Sequence, residues 1–208
     1  MQSQVCKPIV YIVDDDEGVR KSLHWLLGSV GLDCQLFASA MEFLSIFDNN
    51  LRGCLVLDIR MPGMSGLDLQ RHLNAEGSNL PLIIVTGHAD VPVALQAMKS
   101  GAFDLIEKPY SDQLLLERIQ AAMELDSKQR DILQNNHLIK QRLAKLTPRE
   151  YEVMICVIDG CQNKEVASQL DISIKTVEVH RSNFMKKLQV RTLPELVRMV
   201  MSVRDPSV

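Results

Sequence analysis

The stretch CLVLDIRMPGMSGLDL, residues 54–69, decides the fold. Cys54 to Leu57 run apolar without a break into Asp58, a Pro-Gly turn follows, and helical spacing sets in from Gly66. A short run apolar at every position is how a strand buried on both faces of a parallel sheet reads. Outward from it the unit repeats. Ile9–Val13 ends in Asp14, Asp15 and Asp16; Cys34–Phe37 follows; Leu82–Thr86 closes on a hydroxyl; Asp104–Ile106 leads into Glu107, Lys108 and Pro109. Between these runs, helical spacing covers Glu17–Val30, Ala40–Phe47, Gly66–Asn74, Val91–Ser100 and the chain from Asp112 onward. Asp90 suits the N-cap of the fourth segment and Gly101 its stop. Five alternations of strand and helix predict a doubly wound, five-stranded parallel α/β fold.

Charge divides the 208 residues better than length does. Residues 1–124 carry 9 Lys+Arg against 16 Asp+Glu, whereas residues 125–208 carry 14 against 10, so a front of −7 and a rear of +4 make up the net −3. An acidic front and a basic rear imply two modules with different partners. Aromatics are only 4% of the chain, so the cores must be aliphatic. No apolar run reaches the ~18 residues of a spanning helix, and MQSQVCKPIV lacks the basic and long apolar parts of a signal peptide. Five cysteines (Cys6, Cys34, Cys54, Cys156, Cys161) form no CxxC pair, hence neither a disulfide framework nor a zinc spacing. Cys54 and Cys156 lie in apolar runs, where a thiol acts as a small hydrophobe. These features fit a reducing cytoplasm, with no membrane partner.

In doubly wound sheets, ligands bind beyond the carboxyl ends of the strands, where the winding reverses. Asp14–Asp16, Asp58, Thr86 and Lys108 all stand at such ends. Taken singly, each has an ordinary reading: acids suit a helix start, and Lys108-Pro109 suits a turn. Together they bring carboxylates, a hydroxyl and an ammonium to one edge. Clustered carboxylates ionise cheaply only beside a cation, and hard oxygen donors favour Mg²⁺, which prefers to bridge to phosphate. A carboxylate can attack phosphorus, with the metal and lysine neutralising the transferring group.

The segments IVDDDEGVRKSL, LVLDIRMPGMSGLDL and IIVTGHADVPVALQAMKSGAFDLIEKP together resemble the receiver (flavodoxin-like) domain of a two-component response regulator, over about residues 5–124 and closest to the FixJ branch. The resemblance implies that Asp58 accepts a phosphoryl group from a phosphohistidine on a sensor histidine kinase. It implies that Asp15 binds Mg²⁺ directly, Asp14 mainly through water, and that the Arg60 carbonyl completes the site. Lys108 would pair with the phosphoryl group, across a peptide to Pro109 that is cis in many receivers. Thr86 would move to meet a phosphoryl oxygen, and Arg60 and His88 occupy positions that tune phosphate lifetime. The chain departs from the family at Leu105, where many receivers carry the Phe or Tyr that rotates as the threonine moves. A switch at Thr86 and Leu105 therefore has no aromatic ring to couple through.

From Ser111 to Thr147 there is neither Pro nor Gly, and residues 125–142 read as a mostly helical linker. Thr147-Pro148-Arg149-Glu150 then starts a helix with a capping box and Pro at N1. Further helices open at Asn163, after Ser173, and at the second T-x-x-E start, Thr192–Glu195. Four short helices with a tight turn between the second and third predict an all-α, four-helix helix-turn-helix unit over residues 143–208. On the third helix, Val177, Phe184 and Leu188, with His180 or Arg181, make an inward stripe. The segment LTPREYEVMICVIDGCQNKEVASQLDISIKTVEVHRSNFMKKLQVRTLPELV resembles the LuxR-type DNA-binding domain in its FixJ/NarL branch. That resemblance implies a recognition helix with Glu178, Val179 and Ser182 facing bases and Lys175, Thr176, Arg181 and Lys186 at the backbone. It further implies double-stranded promoter DNA as partner, a homodimer when phosphorylated, contact with RNA polymerase, and a regulator, not an enzyme, beyond its own phosphorylation and dephosphorylation. Two alternatives stand beside this. One is a DNA-binding regulator whose receiver works unphosphorylated. The other is a haloacid-dehalogenase-type phosphatase, which Glu17 and Gly18 after Asp16 disfavour, since a D-x-D-x-T pattern is missing.

Overall fold

The computed structural model describes residues 7–87 and 91–204, so the expected N-cap Asp90 and the tuning position His88 lie outside the described residues. The chain divides into two compact units, one ending at Arg130 and the other beginning at Asp131. Each is described by itself.

The first unit holds five parallel strands in the order β2-β1-β3-β4-β5: β1 (Ile9–Val13), β2 (Cys34–Phe37), β3 (Gly53–Asp58), β4 (Leu82–Thr86) and β5 (Asp104–Glu107). Strand alternation sorts the core. Tyr11, Val13, Leu55, Leu57 and Ile84 face helices α2 (Ala40–Leu44), α3 (Gly66–Ala75) and α4 (Val91–Lys99). Val10, Ile12, Val56, Ile83 and Val85 face α1 (Glu17–Ser29) and the front of α5 (Asp112–Leu143). Both faces are covered, which is why β3 and β4 are buried throughout. Cys54 is fully buried, and burial pushes its thiol up to about 12, so it is an inert hydrophobe.

Two features differ from the sequence reading. Helix α2 ends at Leu44, not Phe47. There Ser45 Oγ bonds the Glu42 carbonyl, Ile46 N–H and Phe47 N–H close tighter turns on Phe43 and Leu44, and the Phe47 ring settles on Phe43. The first unit also runs to Arg130, past the expected end at 124. Asp126, only 2% exposed, accepts from the Gly53 N–H at 3.0 Å and from Arg130 Nε at 2.7 Å, while Arg130 also donates to the Leu51 carbonyl. These bonds tie that stretch of α5 to the start of β3. Helix α5 itself is uninterrupted to Leu143.

The second unit adds α6 (Pro148–Ile158), α7 (Asn163–Leu170), α8 (Ile174–Leu188) and α9 (Leu193–Arg204) around Val153, Met154, Val177, Phe184, Leu188 and Leu196. Cys156 is half-buried, donating to Gln169 Oε1 at 3.6 Å, so its thiol is not wholly inside. Among the described residues no helix is long and apolar enough to cross a membrane.

Candidate functional site

The first candidate site lies where the winding reverses. Strand β1 has β2 on one side and β3 on the other, so the ends of β1 and β3 open side by side. Asp14 and Asp58 emerge there and are buried, 4% and 8% exposed. Lys108, after β5, reaches across to both: its Nζ stands 2.9 Å from Asp14 Oδ2 and 2.9 Å from Asp58 Oδ1. The peptide from Lys108 to Pro109 is cis, and the Lys108 N–H donates to the Thr86 carbonyl at 2.8 Å. Thr86 is buried at the end of β4.

Each carboxylate has a second anchor. Asp14 Oδ1 accepts from the Asp16 N–H at 2.9 Å, and Asp58 Oδ2 accepts from the Arg60 N–H at 2.6 Å. Burial raises the Asp14 carboxyl above its ordinary range despite the bonds from Lys108 and Asp16. Burial alone would depress the Lys108 ammonium, but its bonds to Asp14 and Asp58 more than offset this and hold it up. The lysine is thus firmly protonated between two carboxylates. Asp15 and Arg60 are exposed beside this pair, and Asp16 serves as the N-cap of α1, accepting from Gly18 and Val19. Leu105 is half-buried against the core under α2–α4.

Among the described residues, no three carboxylate, imidazole or thiol groups stand together as a metal cage. The donors present still suit a hard cation. All are oxygens, and two buried carboxylates, with Asp15 next in sequence to Asp14, outnumber the one lysine between them. Mg²⁺ needs only one or two carboxylates besides water and phosphate.

Gly66 shapes this edge. As the first residue of α3, beside the N-cap Ser65, it donates to the Ile59 carbonyl at 2.9 Å, and a Cβ there would meet the Asp58 carbonyl oxygen at 2.2 Å. Backbone cannot yield at that distance. Gly66→Ala is therefore expected to displace the Asp58 loop, with about 1–3 kcal/mol lost from thermal unfolding of the first unit.

The second candidate site is helix α8. Ser173 caps it, accepting from the Thr176 N–H at 3.0 Å, and Val177, Phe184 and Leu188 are fully buried, as the stripe requires. Lys175, Glu178, Val179, Ser182 and Lys186 are exposed, Val179 at 53%. Two positions expected at the DNA backbone also have partners inside the unit. Thr176 Oγ1 bonds Ser173 Oγ at 2.7 Å, and Arg181 Nη1 donates to Asn163 Oδ1 at 2.6 Å. His180 is half-buried, its Nδ1 without a protein partner.

Sequence reasoning missed what holds α8 in place. The Thr147–Glu150 capping box is present, with the Thr147 N–H on Glu150 Oε2 at 2.8 Å. The same oxygen takes Lys187 Nζ at 2.6 Å, which ties α8 to the start of α6. Burial would raise Glu150, but Lys187 and Thr147 overcome it and hold it below its ordinary 4.5. A depressed carboxylate contributes stability in full above its unfolded value, and that share is lost as pH falls through the lower folded value. Glu150→Gln is therefore expected to destabilise the second unit by about 1–2 kcal/mol at neutral pH. It should also flatten acid unfolding below pH 4.5, read by circular dichroism.

Comparison with known proteins covers both sites. A family model described as the response regulator receiver domain matches residues 10–120, and one described as bacterial regulatory proteins, luxR family, matches residues 144–200. The transcriptional regulatory protein FixJ of Rhizobium meliloti is 46% identical over 194 residues, 93% of this chain and 95% of that protein. The response regulator protein TodT of Pseudomonas putida is 42% identical over 197 residues, 95% of this chain and 87% of that one. Among solved structures, the response regulator StyR matches with a TM-score of 0.86 at 42% identity, covering 94% of this chain and 98% of that chain. Full-length FixJ from B. japonicum matches with a TM-score of 0.60 at 41% identity, covering 95% and 98%.

Proposed function

The chain belongs to the FixJ-type two-component response regulators, a transcription regulator with a receiver and a LuxR-type DNA-binding domain, and from that premise we propose that Asp58 is its phosphoryl acceptor. The shared bonding of Lys108 to Asp14 and Asp58 carries this reading. An oxygen of Asp58 attacks the phosphorus of a phosphohistidine on a sensor histidine kinase. The P–O bond forms as the P–N bond breaks, and the imidazole leaves with a proton. Lys108, already charged and seated between the two acids, turns toward the arriving oxygens. Asp14, Asp15, Asp58 and the Arg60 carbonyl would hold Mg²⁺, which when bound neutralises charge on the transferring group.

Thr86 hydroxyl movement is the switch, and Leu105 follows by changing rotamer, without an aromatic ring. Phosphorylation favours one receiver arrangement, and with it a homodimer competent for promoter DNA. On that DNA, Lys175, Thr176, Arg181 and Lys186 meet phosphates, while Glu178, Val179 and Ser182 read base edges: an apolar Val suits a thymine methyl, and Glu accepts from cytosine N4. We place the protein in the cytoplasm, in contact with RNA polymerase at its promoters. Beyond its own phosphorylation and dephosphorylation it has no catalytic role.

The test is intact mass after treatment with acetyl phosphate and Mg²⁺. The expected result is one phosphoryl group on the wild type and none on Asp58→Asn. Equal uptake by both, or by neither, would remove Asp58 from the role.

A further inference from the structure

Cys156 and Cys161 hold fixed places in the turn that ends α6. Gly160, with φ +91°, lets the chain double back: its N–H donates to the Val157 carbonyl at 3.2 Å, and the Cys161 N–H donates to the Cys156 carbonyl at 2.9 Å. This pair of bonds is the Schellman ending, in which the side chains at the two outer positions commonly touch. Here both outer positions are cysteine. The backbone bond between them leaves their Cα atoms no more than about 6.8 Å apart, inside the upper limit of the ~4.4–6.8 Å that disulfides span. The thiols also share a partner. Cys156 Sγ donates to Gln169 Oε1 at 3.6 Å, and Gln169 Nε2 donates to Cys161 Sγ at 3.9 Å, so one amide on α7 touches both sulfurs. Both cysteines are half-buried and Gln169 is exposed, so a small reagent reaches the sulfurs once that amide swings aside. In a reducing compartment a disulfide is transient and acts as a sensor.

We propose that Cys156 and Cys161 form a reversible oxidation site for hydroperoxides, closing to a disulfide that ties the last turn of α6 to the start of α7. The Cys161 thiolate attacks a peroxide oxygen and the O–O bond breaks. Cys161 becomes a sulfenic acid, and the departing hydroxide takes the proton that the thiol gave up. The Cys156 sulfur then attacks the Cys161 sulfur. The S–S bond forms, the S–O bond breaks, and a second water leaves with the Cys156 proton. Two thiols have lost two electrons and two protons, and hydrogen peroxide has become two waters. Burial, with Cys161 and Asp159 nearby, raises the Cys156 thiol above its ordinary value, which leaves the first step to Cys161. The closed bond stands beside Gln162, the N-cap of α7, and two residues before Asn163, which takes Arg181 of α8 at 2.6 Å. The inference does not depend on phosphoryl transfer at Asp58.

Trypsin leaves both cysteines in one peptide, residues 150–164. The full-length protein is treated with hydrogen peroxide in modest molar excess, alkylated in denaturant, digested and weighed. The expected wild-type peptide is lighter by two hydrogens and carries no alkyl group, and dithiothreitol restores both thiols, while the fully buried Cys54 stays alkylatable throughout. Cys156→Ser removes the second step, so dimedone is expected to trap the sulfenic acid on Cys161. In Cys161→Ser, dimedone is expected to mark Cys156 at least roughly tenfold more slowly. A wild-type peptide that stays alkylated at both cysteines would overturn the proposal. So would bonds to other chains in place of the internal one, or equal dimedone uptake by the two variants. Should either variant fail to fold by circular dichroism, the wild-type peptide decides alone.

Discussion

Lys108→Met is expected to slow phosphoryl uptake from acetyl phosphate by about 10²–10³-fold, the loss usual when one preorganised charge is removed from a transferring group. The side chain is only 26% exposed and bonds both Asp14 and Asp58. Methionine fills much the same volume but leaves two buried carboxylates without the ammonium between them. The arriving phosphoryl group would then add negative charge to a site that already repels it. Lys108→Arg keeps the charge but presents a planar fork in place of a compact point charge, so partial recovery is expected. Intact mass sampled over time measures both. Uptake by Lys108→Met within about twofold of wild type would mean that the lysine is a structural brace, because a charge acting on the transition state is worth far more than that.

Phe184→Ala is expected to have the largest effect on the second unit. The ring is fully buried among Val153, Met154, Val177, Leu188 and Leu196, where α8 packs on its neighbours. Truncating a buried Phe costs about 3–5 kcal/mol, against the ~5–15 kcal/mol that holds a typical domain together. DNA binding should fall with it, while phosphoryl uptake by the receiver unit stays at the wild-type rate. Val179→Ala makes the informative contrast. That side chain is exposed, so stability should hold within about 0.5 kcal/mol while affinity for promoter DNA drops. Gel-shift titration beside thermal unfolding separates the two cases. Full DNA affinity in Phe184→Ala would remove the packing of α8 from the account.

What could be read from the sequence follows from how local each signal is. Strands β3 and β4 are apolar at every position because both faces are covered, and Asp58 and Thr86 close them. The Thr147–Glu150 box lies within one helical turn, so it too was legible. Asp126 looked like one more polar residue of a linker, because its partners at Gly53 and, through Arg130, at Leu51 lie far away in sequence. The Glu150–Lys187 and Asn163–Arg181 bonds were hidden for the same reason. Gln70 carries a polar name at a buried position, and only the carbonyls at the end of α4 explain it. Helix α2 misled because Ile46 and Phe47 keep apolar spacing after the backbone has left the helix.

Under the proposed function, a phosphoryl group on Asp58 raises the affinity of the basic helix for promoter DNA. The most direct measurement is the dissociation constant of the full chain for one DNA selected from a random pool, at fixed salt, before and after acetyl phosphate, beside Asp58→Asn. Binding is expected to tighten on phosphorylation in the wild type and to stay unchanged in the variant. Equal affinity in all three would contradict it and leave a DNA-binding regulator that works without phosphate.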